Sequence, residues 1–235
     1  LVLFMGDEKN QAVSWFDLGY FSFQPGEFIK IITIVFLADY YEKNKGHLTS
    51  WWKSLYPIAI SVVIAALIFL EPDLGTTIIY CAIVFAIFLA VPISKEIKVK
   101  TIFITLGLLF FAVIVVLGAG KGILLERQLK RFDYFRPCDR ILDDGNQVCN
   151  CYIAMNNGGL TGVGLGNSTQ KYLYLPEAHT DFIYAVIGEE HGFIGCLLII
   201  CLFWTILQRG FHIAIKCQDM YGKLLALGLT FSICF

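Results

Sequence analysis

Five apolar runs, each close to the length that crosses a lipid bilayer, limit most strongly what this chain can fold into. They are Phe21–Tyr41, Tyr56–Leu70, Leu74–Ile93, Ile102–Gly118 and Phe182–Leu207. A hydrocarbon core about 30 Å thick requires about 20 apolar residues in helical form, and fewer where the ends snorkel. Because 57% of the residues are apolar and only 16% are charged, the composition lies outside the globular range. We therefore expect an all-α polytopic membrane protein in which residues 1–235 form one transmembrane domain.

Two shorter apolar segments, Leu1–Met5 and Tyr221–Phe235, lie at the ends of the sequence. The sequence begins without a Met or a basic leader and stops inside an apolar run. We interpret these segments as clipped spans, so the sequence is expected to be a fragment cut at both ends, with about five complete spans.

Basic residues outside the spans indicate the orientation of the chain. Three short loops are rich in Lys and Arg, namely Glu42–Lys53, Ser94–Lys100 and Gln208–Lys216. Such loops face the cytoplasm by the positive-inside rule. The alternation of spans then places Gly6–Tyr20, the Glu71–Gly75 turn and the long Ala119–Thr180 loop on the outer side. The net charge of -1 indicates no nucleic acid partner.

The long outer loop carries positive charge that needs an explanation. Between Lys121 and Phe135, apolar residues recur at helical spacing with basic residues, including Arg131, between them. This pattern is typical of an amphipathic helix on a membrane surface. Two interpretations stay open: a solvated helix that touches anionic headgroups, or a cationic wall for a phosphate-bearing lipid.

Three cysteines of the same loop, Cys138, Cys149 and Cys151, raise the question of a metal site. Their odd number and the single residue between the last two differ from the usual zinc-binding spacing. No metal site is predicted, and one disulfide among the three is the alternative.

Ionisable residues inside or beside a span are candidates for function, because an unpaired charge is costly in a bilayer. Glu27 and Lys30 are three residues apart, so they are neighbours on one helix face. They form either a structural ion pair or part of a site. Asp73, in the turn between the second and third runs, is either a helix cap or part of a site.

The densest group of titratable residues precedes and enters the fifth run. Asp181 is either the N-cap of that span or a general base, and His179 lies two residues before it. Glu189 and Glu190 follow about two turns deeper. Because adjacent residues cannot share one helix face, we expect one of these glutamates to pair with a basic group on another span.

The glycine-rich segment Gly158–Gly166 is not a nucleotide-binding loop, since no strand precedes it and no Gly-Lys-Ser/Thr follows. Its backbone amides could hold a phosphate or a sugar. A tight re-entrant fold is the structural alternative.

Taken together, these motifs resemble the SEDS family (shape, elongation, division and sporulation), the RodA/FtsW-type proteins of bacterial cell-wall synthesis. The matching pieces are Ser14-Trp15-Phe16, Phe23–Lys30, Glu71–Gly75, Gly158–Asn167, Leu175–Phe182 and Gly188–Gly195. They occur in the family's order over nearly the whole sequence. The segment Val163–Ser168 favours the division and sporulation branch.

The resemblance implies a ten-span protein of the bacterial cytoplasmic membrane that polymerises lipid II at the outer face. Its expected partners are a class B penicillin-binding protein and other divisome or elongation proteins. The implied catalytic acid is Asp181, and Trp15, Glu27 and Lys30 are implied to line the same cavity. Because the leaving diphosphate needs positive charge, Lys30, Arg131 and Arg136 are candidates to bind it. His179 is a further candidate for substrate binding, and Asp73, Glu189 and Glu190 are candidate structural or cavity residues. No residue cluster demands a cofactor, although a divalent cation could assist the leaving diphosphate.

Two other functions fit the same residues. A polar cavity with intramembrane charge pairs is also expected of a lipid II flippase. A scaffold that only recruits the penicillin-binding protein would need no catalytic acid. The resemblance favours glycan polymerisation over both.

Overall fold

The protein is mainly helical and was studied as a computed structural model that describes residues 7–9, 12–17, 22–48, 50–69, 74–119, 137–140, 145–175 and 178–235. The helices in these ranges are α1 Pro25–Lys43, α2 Trp51–Phe69, α3 Leu74–Ala90, α4 Lys95–Ala119, α5 Asn146–Gly158, α6 Gln170–Leu173, α7 Ile183–Lys216 and α8 Met220–Cys234. The chain divides into two compact units, the first formed by 1–112 with 206–235 and the second by 113–205.

The helical membrane fold predicted from the apolar runs is confirmed, since each of the five runs corresponds to one long helix. Among the described helices, α2 and α7 are long and apolar enough to cross a membrane, judged by length and composition. Three helices are longer than their apolar runs, because α2 already begins at Trp51, α4 begins at Lys95 and α7 continues to Lys216. Lys, Glu and Arg are good helix formers, so these helices extend beyond the apolar residues that identify a span.

Three short antiparallel strands precede α1, and the sequence analysis did not predict them. They are β1 Asp7–Lys9, β2 Ala12–Asp17 and β3 Ser22–Phe23, in the order β1-β2-β3. The middle strand contains Val, Trp and Phe, which favour extended structure. Trp15 lies in this strand and pairs with Asp7 of β1.

The core of the first unit forms where α1, α3 and α8 pack together. Ile34 of α1, Ile87 of α3 and Leu224 of α8 are completely buried. Gly228 of α8 permits this close approach, because a Cβ atom at that position would lie 2.6 Å from Ile34 Cγ2. The same position would be too tight for any larger residue.

A proline inside α2 is accommodated by a side chain from α1. Pro57 has no backbone N–H, so it cannot donate the helical hydrogen bond to the carbonyl of Lys53. The hydroxyl of Tyr40 donates to that carbonyl instead, at 3.1 Å. The carbonyl that the proline leaves without a helical donor therefore becomes a hydrogen-bond link between α1 and α2.

Candidate functional site

Asp181 lies in the turn directly before α7, which begins at Ile183. Its side chain is exposed, and it makes no hydrogen bond or ion pair with the residues that the structure describes. Asp181 is therefore not engaged as the N-cap of α7 there. The first turn is closed by backbone contacts such as Ala185 N to Phe182 O, at 3.0 Å. Within the described residues the carboxylate is thus unpaired, and it lies at the N-terminal end of a long helix, where the helix dipole favours negative charge.

His179 shares this turn with Asp181 and is also exposed. Ala178, next to it, is buried with Leu175 and Ala185 in a small apolar cluster of the second unit. The turn is thus anchored by its apolar residues. Its two polar groups, His179 and Asp181, stay accessible to solvent.

The glycine segment packs against α7 at a kink in that helix. Gly192, inside α7, has a positive φ of 67°. Four backbone hydrogen bonds join the two segments, from Val163 N to Glu189 O (3.0 Å), Gly164 N to Glu190 O (3.0 Å), Phe193 N to Gly159 O (2.9 Å) and Ile194 N to Leu160 O (3.2 Å). The kink exposes backbone groups that an uninterrupted helix would use itself, and the glycine segment satisfies them.

Of the two interpretations of Gly158–Gly166, these contacts correspond to the tight fold rather than to an open anion cradle. Gly162 has a φ of +82°, and a Cβ atom there would collide with the carbonyl of Glu190. Gly158 approaches the backbone of Gly188 as closely. Glycine is needed at both positions because only a residue without a side chain lets the two backbones touch.

Glu189 is almost completely buried, at 1% exposure, and is surrounded by hydrogen-bond donors. Its carboxylate accepts from Ser168 Oγ (2.5 Å), Thr169 Oγ1 (3.0 Å), Thr169 N (3.3 Å) and Gln170 N (3.3 Å). Hydrogen bonds to an ionised group are the strong ones. They offset the cost of burying this charge and fix the segment that precedes α6.

Glu190 forms an ion pair with Lys171 of α6, with Nζ and Oε1 2.6 Å apart. This hydrogen bond raises the pKa of Lys171 above its usual range. The expectation that a glutamate pairs with a basic group on another span is wrong, because the partner lies on a short helix of the outer loop. Both glutamates contact the same segment, Ser168–Lys171.

The partners of these glutamates were missed by the sequence analysis. The available signal was a run of polar residues, Asn167–Lys171, placed between the glycine segment and an apolar one. Nothing in the sequence indicates which distant residue such a run will contact.

The pairing of Glu27 with Lys30 is present on α1, where Lys30 Nζ lies 2.8 Å from Glu27 Oε1. The two side chains differ in exposure, 7% for Lys30 and 53% for Glu27. Thr33, one turn further, contacts the hydroxyl of Tyr80 on α3 at 3.2 Å. Polar groups thus continue from the exposed glutamate into the helix core of the first unit.

Several residues named from the sequence cannot be placed. Asp73, Arg131 and Arg136 lie outside the described residues, as does the segment between Lys121 and Phe135. Trp15 is described only by its backbone in β2. Within the ranges that the structure covers, no group of three or more His, Cys, Asp or Glu side chains could hold a metal ion.

The loop cysteines form one disulfide, between Cys138 and Cys149. It joins the short 3₁₀ helix Pro137–Arg140 to α5. Cys151 keeps a free thiol, whose pKa is raised by burial. The disulfide alternative of the sequence analysis therefore corresponds to this pair.

Comparison with known proteins identifies relatives over the whole chain. The family model for FtsW, RodA and SpoVE, described as "Cell cycle protein", matches residues 1–235. The chain is 40% identical over 229 residues to "Probable peptidoglycan glycosyltransferase FtsW" of Bacillus subtilis, covering 96% of this chain and 56% of that protein. It is 37% identical over 231 residues to "Stage V sporulation protein E" of the same organism, covering 96% of this chain and 60% of the relative. The chain thus spans a little over half the length of these relatives.

Solved structures show the same fold. One, described as "Structural coordination of polymerization and crosslinking by a peptidoglycan synthase complex", aligns with a TM-score of 0.71 at 25% identity, covering 99% of this chain and 62% of that one. The rod shape determining protein RodA of Thermus thermophilus aligns with a TM-score of 0.57 at 22% identity, covering 99% of this chain and 57% of that chain.

Proposed function

Because the chain belongs to the FtsW/RodA/SpoVE family of cell cycle proteins, we propose that it carries the catalytic acid of a peptidoglycan glycosyltransferase that polymerises lipid II. The observation that carries this proposal is the exposed carboxylate of Asp181, which has no partner in the described part of the chain. A carboxylate used only to cap a helix would be engaged with backbone amides. One held free beside a polar loop is available to a substrate.

The proposed reaction joins two saccharide units. The 4-hydroxyl of one sugar attacks the anomeric carbon of another, a new C–O bond forms, and the bond to the lipid diphosphate breaks. Asp181 accepts the proton of the attacking hydroxyl as general base. The diphosphate leaves with the electron pair of the broken bond and requires nearby positive charge.

Three cationic residues are proposed to stabilise that leaving group: Lys30, Arg131 and Arg136. Lys30 is supported by its burial beside the exposed Glu27, since a buried ammonium held by one acid can turn toward an added anion. Trp15 and His179 are proposed to contact the saccharide. Where a divalent cation binds with the diphosphate, it would supply the same charge neutralisation.

The second unit is proposed to keep Asp181 in place during the reaction. The turn that carries Asp181 directly precedes α7. Two helical turns later, the contacts of Glu189 and Glu190 hold α7 to the segment Ser168–Lys171. A base must keep its geometry to be effective, because errors of about 1 Å can reduce a rate about 100-fold. Glu189 and Glu190 are therefore positioning residues in this proposal.

We place the protein in the bacterial cytoplasmic membrane as a multi-pass protein, with Asp181 at the outer surface. The family and the long apolar helices support this location. One structural relative is described as a complex that coordinates polymerisation and crosslinking. By analogy, a class B penicillin-binding protein is the proposed partner.

Substitution of Asp181 by Asn in the full-length protein tests the proposal. Purified protein with its transpeptidase partner is incubated with labelled lipid II, and the glycan chains are separated on a gel. Loss of a general base predicts a rate decrease of about 100-fold to 10,000-fold, with lipid II binding retained. Asp39→Asn is the matched control, since Asp39 is an exposed acid paired only with Lys43 on α1.

The rival functions give different outcomes. A flippase would make no glycan even as wild type and would move labelled lipid II across sealed vesicles, with Asp181→Asn reducing that movement. A scaffold would support its partner equally well with either residue at position 181.

A further inference from the structure

A narrow apolar cavity of about 160 Å³ lies between α2, α3 and α4 of the first unit. We call it the inner groove. Its wall includes Val62 and Ala65 of α2, Phe85 of α3, and Thr101 and Leu106 of α4. Val62, Phe85 and Leu106 are 39%, 49% and 57% exposed, so the groove opens on the outer face of this helix group.

The inner groove is close to the ends of the helices that adjoin the basic loops. Helix α4 begins at Lys95, so Thr101 lies about 9 Å and Leu106 about 16 Å along it at 1.5 Å per residue. Phe88, which also lines the groove, is two residues from the end of α3. With the basic loops in the cytoplasm, the groove lies at the depth of the inner leaflet.

Basic residues lie in the first turns of α2 and α4 at this end, with one acid, Glu96, among them. Lys53, Lys95 and Lys100 form no ion pair within the described ranges. The ammonium of Lys100 lies 4.9 Å from the centroid of the Trp51 ring, so the first residues of α2 and α4 are adjacent. Trp and Lys at a helix end are typical of the membrane interface.

Two polar atoms at the same end are buried without a partner. Trp51 Nε1 and Thr101 Oγ1 make no hydrogen bond with any described residue. Thr101 is 1% exposed and belongs to the groove wall. Buried donors without partners are rare in folded proteins. They indicate a place where a bound group with acceptor oxygens would complete the structure.

We propose that the inner groove binds an anionic phospholipid of the inner leaflet, with one acyl chain between α2, α3 and α4 and the phosphate near Lys100 and Trp51. The volume suits a segment of one acyl chain, because a cavity of about 150 Å³ holds a molecule the size of benzene. The unpaired lysines favour an anionic headgroup over a zwitterionic one.

This site is separate from Asp181 and does not depend on the proposed catalysis, although it does use the proposed orientation. The bound lipid would fill the gap between three helices. It would hold α4, the helix that leads into the long outer loop, against α2 and α3. A structural lipid of this kind stabilises the folded state by mass action.

Native mass spectrometry of the full-length protein tests the proposal. The protein is reconstituted with equal amounts of phosphatidylglycerol and phosphatidylcholine, extracted, and the retained lipids are counted. Ala65→Phe fills the groove and is expected to reduce retained phosphatidylglycerol at least tenfold. The matched control is Ala66→Phe, because Ala66 is exposed on α2 and does not line the groove.

The headgroup contact is tested by Lys100→Gln, with Lys45→Gln as control. Lys45 is an exposed lysine of another basic loop and is paired with Glu42. Removal of one lysine near the surface is expected to lower the preference for phosphatidylglycerol about fivefold. The control should leave the preference unchanged.

A measurement on the wild-type protein does not depend on the folding of any variant. Cys81 lines the groove, while Cys201 is an exposed thiol of α7 in the second unit. Phosphatidylglycerol should slow alkylation of Cys81 by N-ethylmaleimide, followed by peptide mass spectrometry, without changing the rate at Cys201.

The proposal is overturned if both lipids protect Cys81 equally, or if Ala65→Phe and Ala66→Phe retain the same amount of lipid. It is equally overturned if Cys81 of the full-length protein reacts at the same rate with and without added phosphatidylglycerol.

Discussion

Replacement of the buried Glu189 by Gln should release the outer loop from α7 while leaving the helices folded. Gln has nearly the same shape, so the change removes charge and one acceptor without creating a cavity. In the wild type, Thr169 N donates to one carboxylate oxygen and Gln170 N to the other. An amide offers only one oxygen, and its NH₂ group must therefore face one of these backbone N–H groups.

The expected cost follows from these contacts. A buried donor left unsatisfied costs about 1–3 kcal/mol, and the remaining hydrogen bonds lose their charge assistance. Ser168 can rotate its hydroxyl to limit the loss, whereas a backbone N–H cannot turn away. We expect a loss of about 3 kcal/mol in the local stability of segment 166–175, which corresponds to opening about 100-fold more often.

Hydrogen exchange followed by mass spectrometry measures this effect directly. Peptides covering 166–175 of the Glu189→Gln protein should exchange about 100-fold faster, while peptides of α1 and α3 keep their wild-type rates. Glu190→Gln is the matched comparison. It should have a smaller effect, because the ion pair of Glu190 with Lys171 is partly exposed, whereas Glu189 is almost completely buried. Glu190 also accepts backbone hydrogen bonds from Gly166 and Ser168, fewer contacts than the described residues make to Glu189.

Two results would refute this reasoning. If Glu189→Gln leaves exchange in 166–175 unchanged, the buried carboxylate does not hold the loop. If Glu190→Gln accelerates exchange as much as Glu189→Gln, burial and the number of donors do not determine the strength of the attachment.

Two further substitutions test the packing on which the site depends. Gly162→Ala should lower the free energy of unfolding by more than about 3 kcal/mol, because its Cβ would meet the carbonyl of Glu190 in α7. Gly166→Ala is the control, since Gly166 has a similar φ of +79° but open space around it, and it should cost only about 1 kcal/mol. Equal losses would show that strain alone, rather than contact with α7, explains the glycine. Tyr40→Phe should cost about 1 kcal/mol, because it leaves the carbonyl of Lys53 without its donor. Tyr56→Phe should have no effect in the same thermal unfolding assay, since the Tyr56 hydroxyl makes no hydrogen bond with the described residues.

Much of the helical architecture could be predicted from the sequence because the signals are local. An apolar run of sufficient length has few alternatives to a helix in lipid, since every backbone polar group must be paired inside its own segment. The contact between Glu27 and Lys30 is local in the same sense. Three residues of separation place both side chains on one face wherever the helix lies.

The exact helix ends and the second unit could not be predicted in this way. Hydropathy marks only the apolar part of α4 and α7, whereas the charged residues at their ends continue the helix. The partner of Glu190 was expected on a span and lies on a loop helix, because no local pattern encodes a contact between residues 19 positions apart. The kink at Gly192 could not be predicted either, since an isolated glycine does not reveal which segment will bond the backbone groups that a kink exposes.

The sequence by itself determined that this chain forms apolar helices joined by polar loops, and its motifs identified the family and the acid that we propose as catalyst. Only the tertiary structure decided that Asp181 is free of any helix-capping contact in the described residues and that Glu189 and Glu190 bind the loop to α7. The physical reason is the range of the interactions. Burial in lipid and helix periodicity act on consecutive residues, whereas hydrogen bonds between the glycine segment and a kinked helix exist only after distant parts of the chain have been brought together.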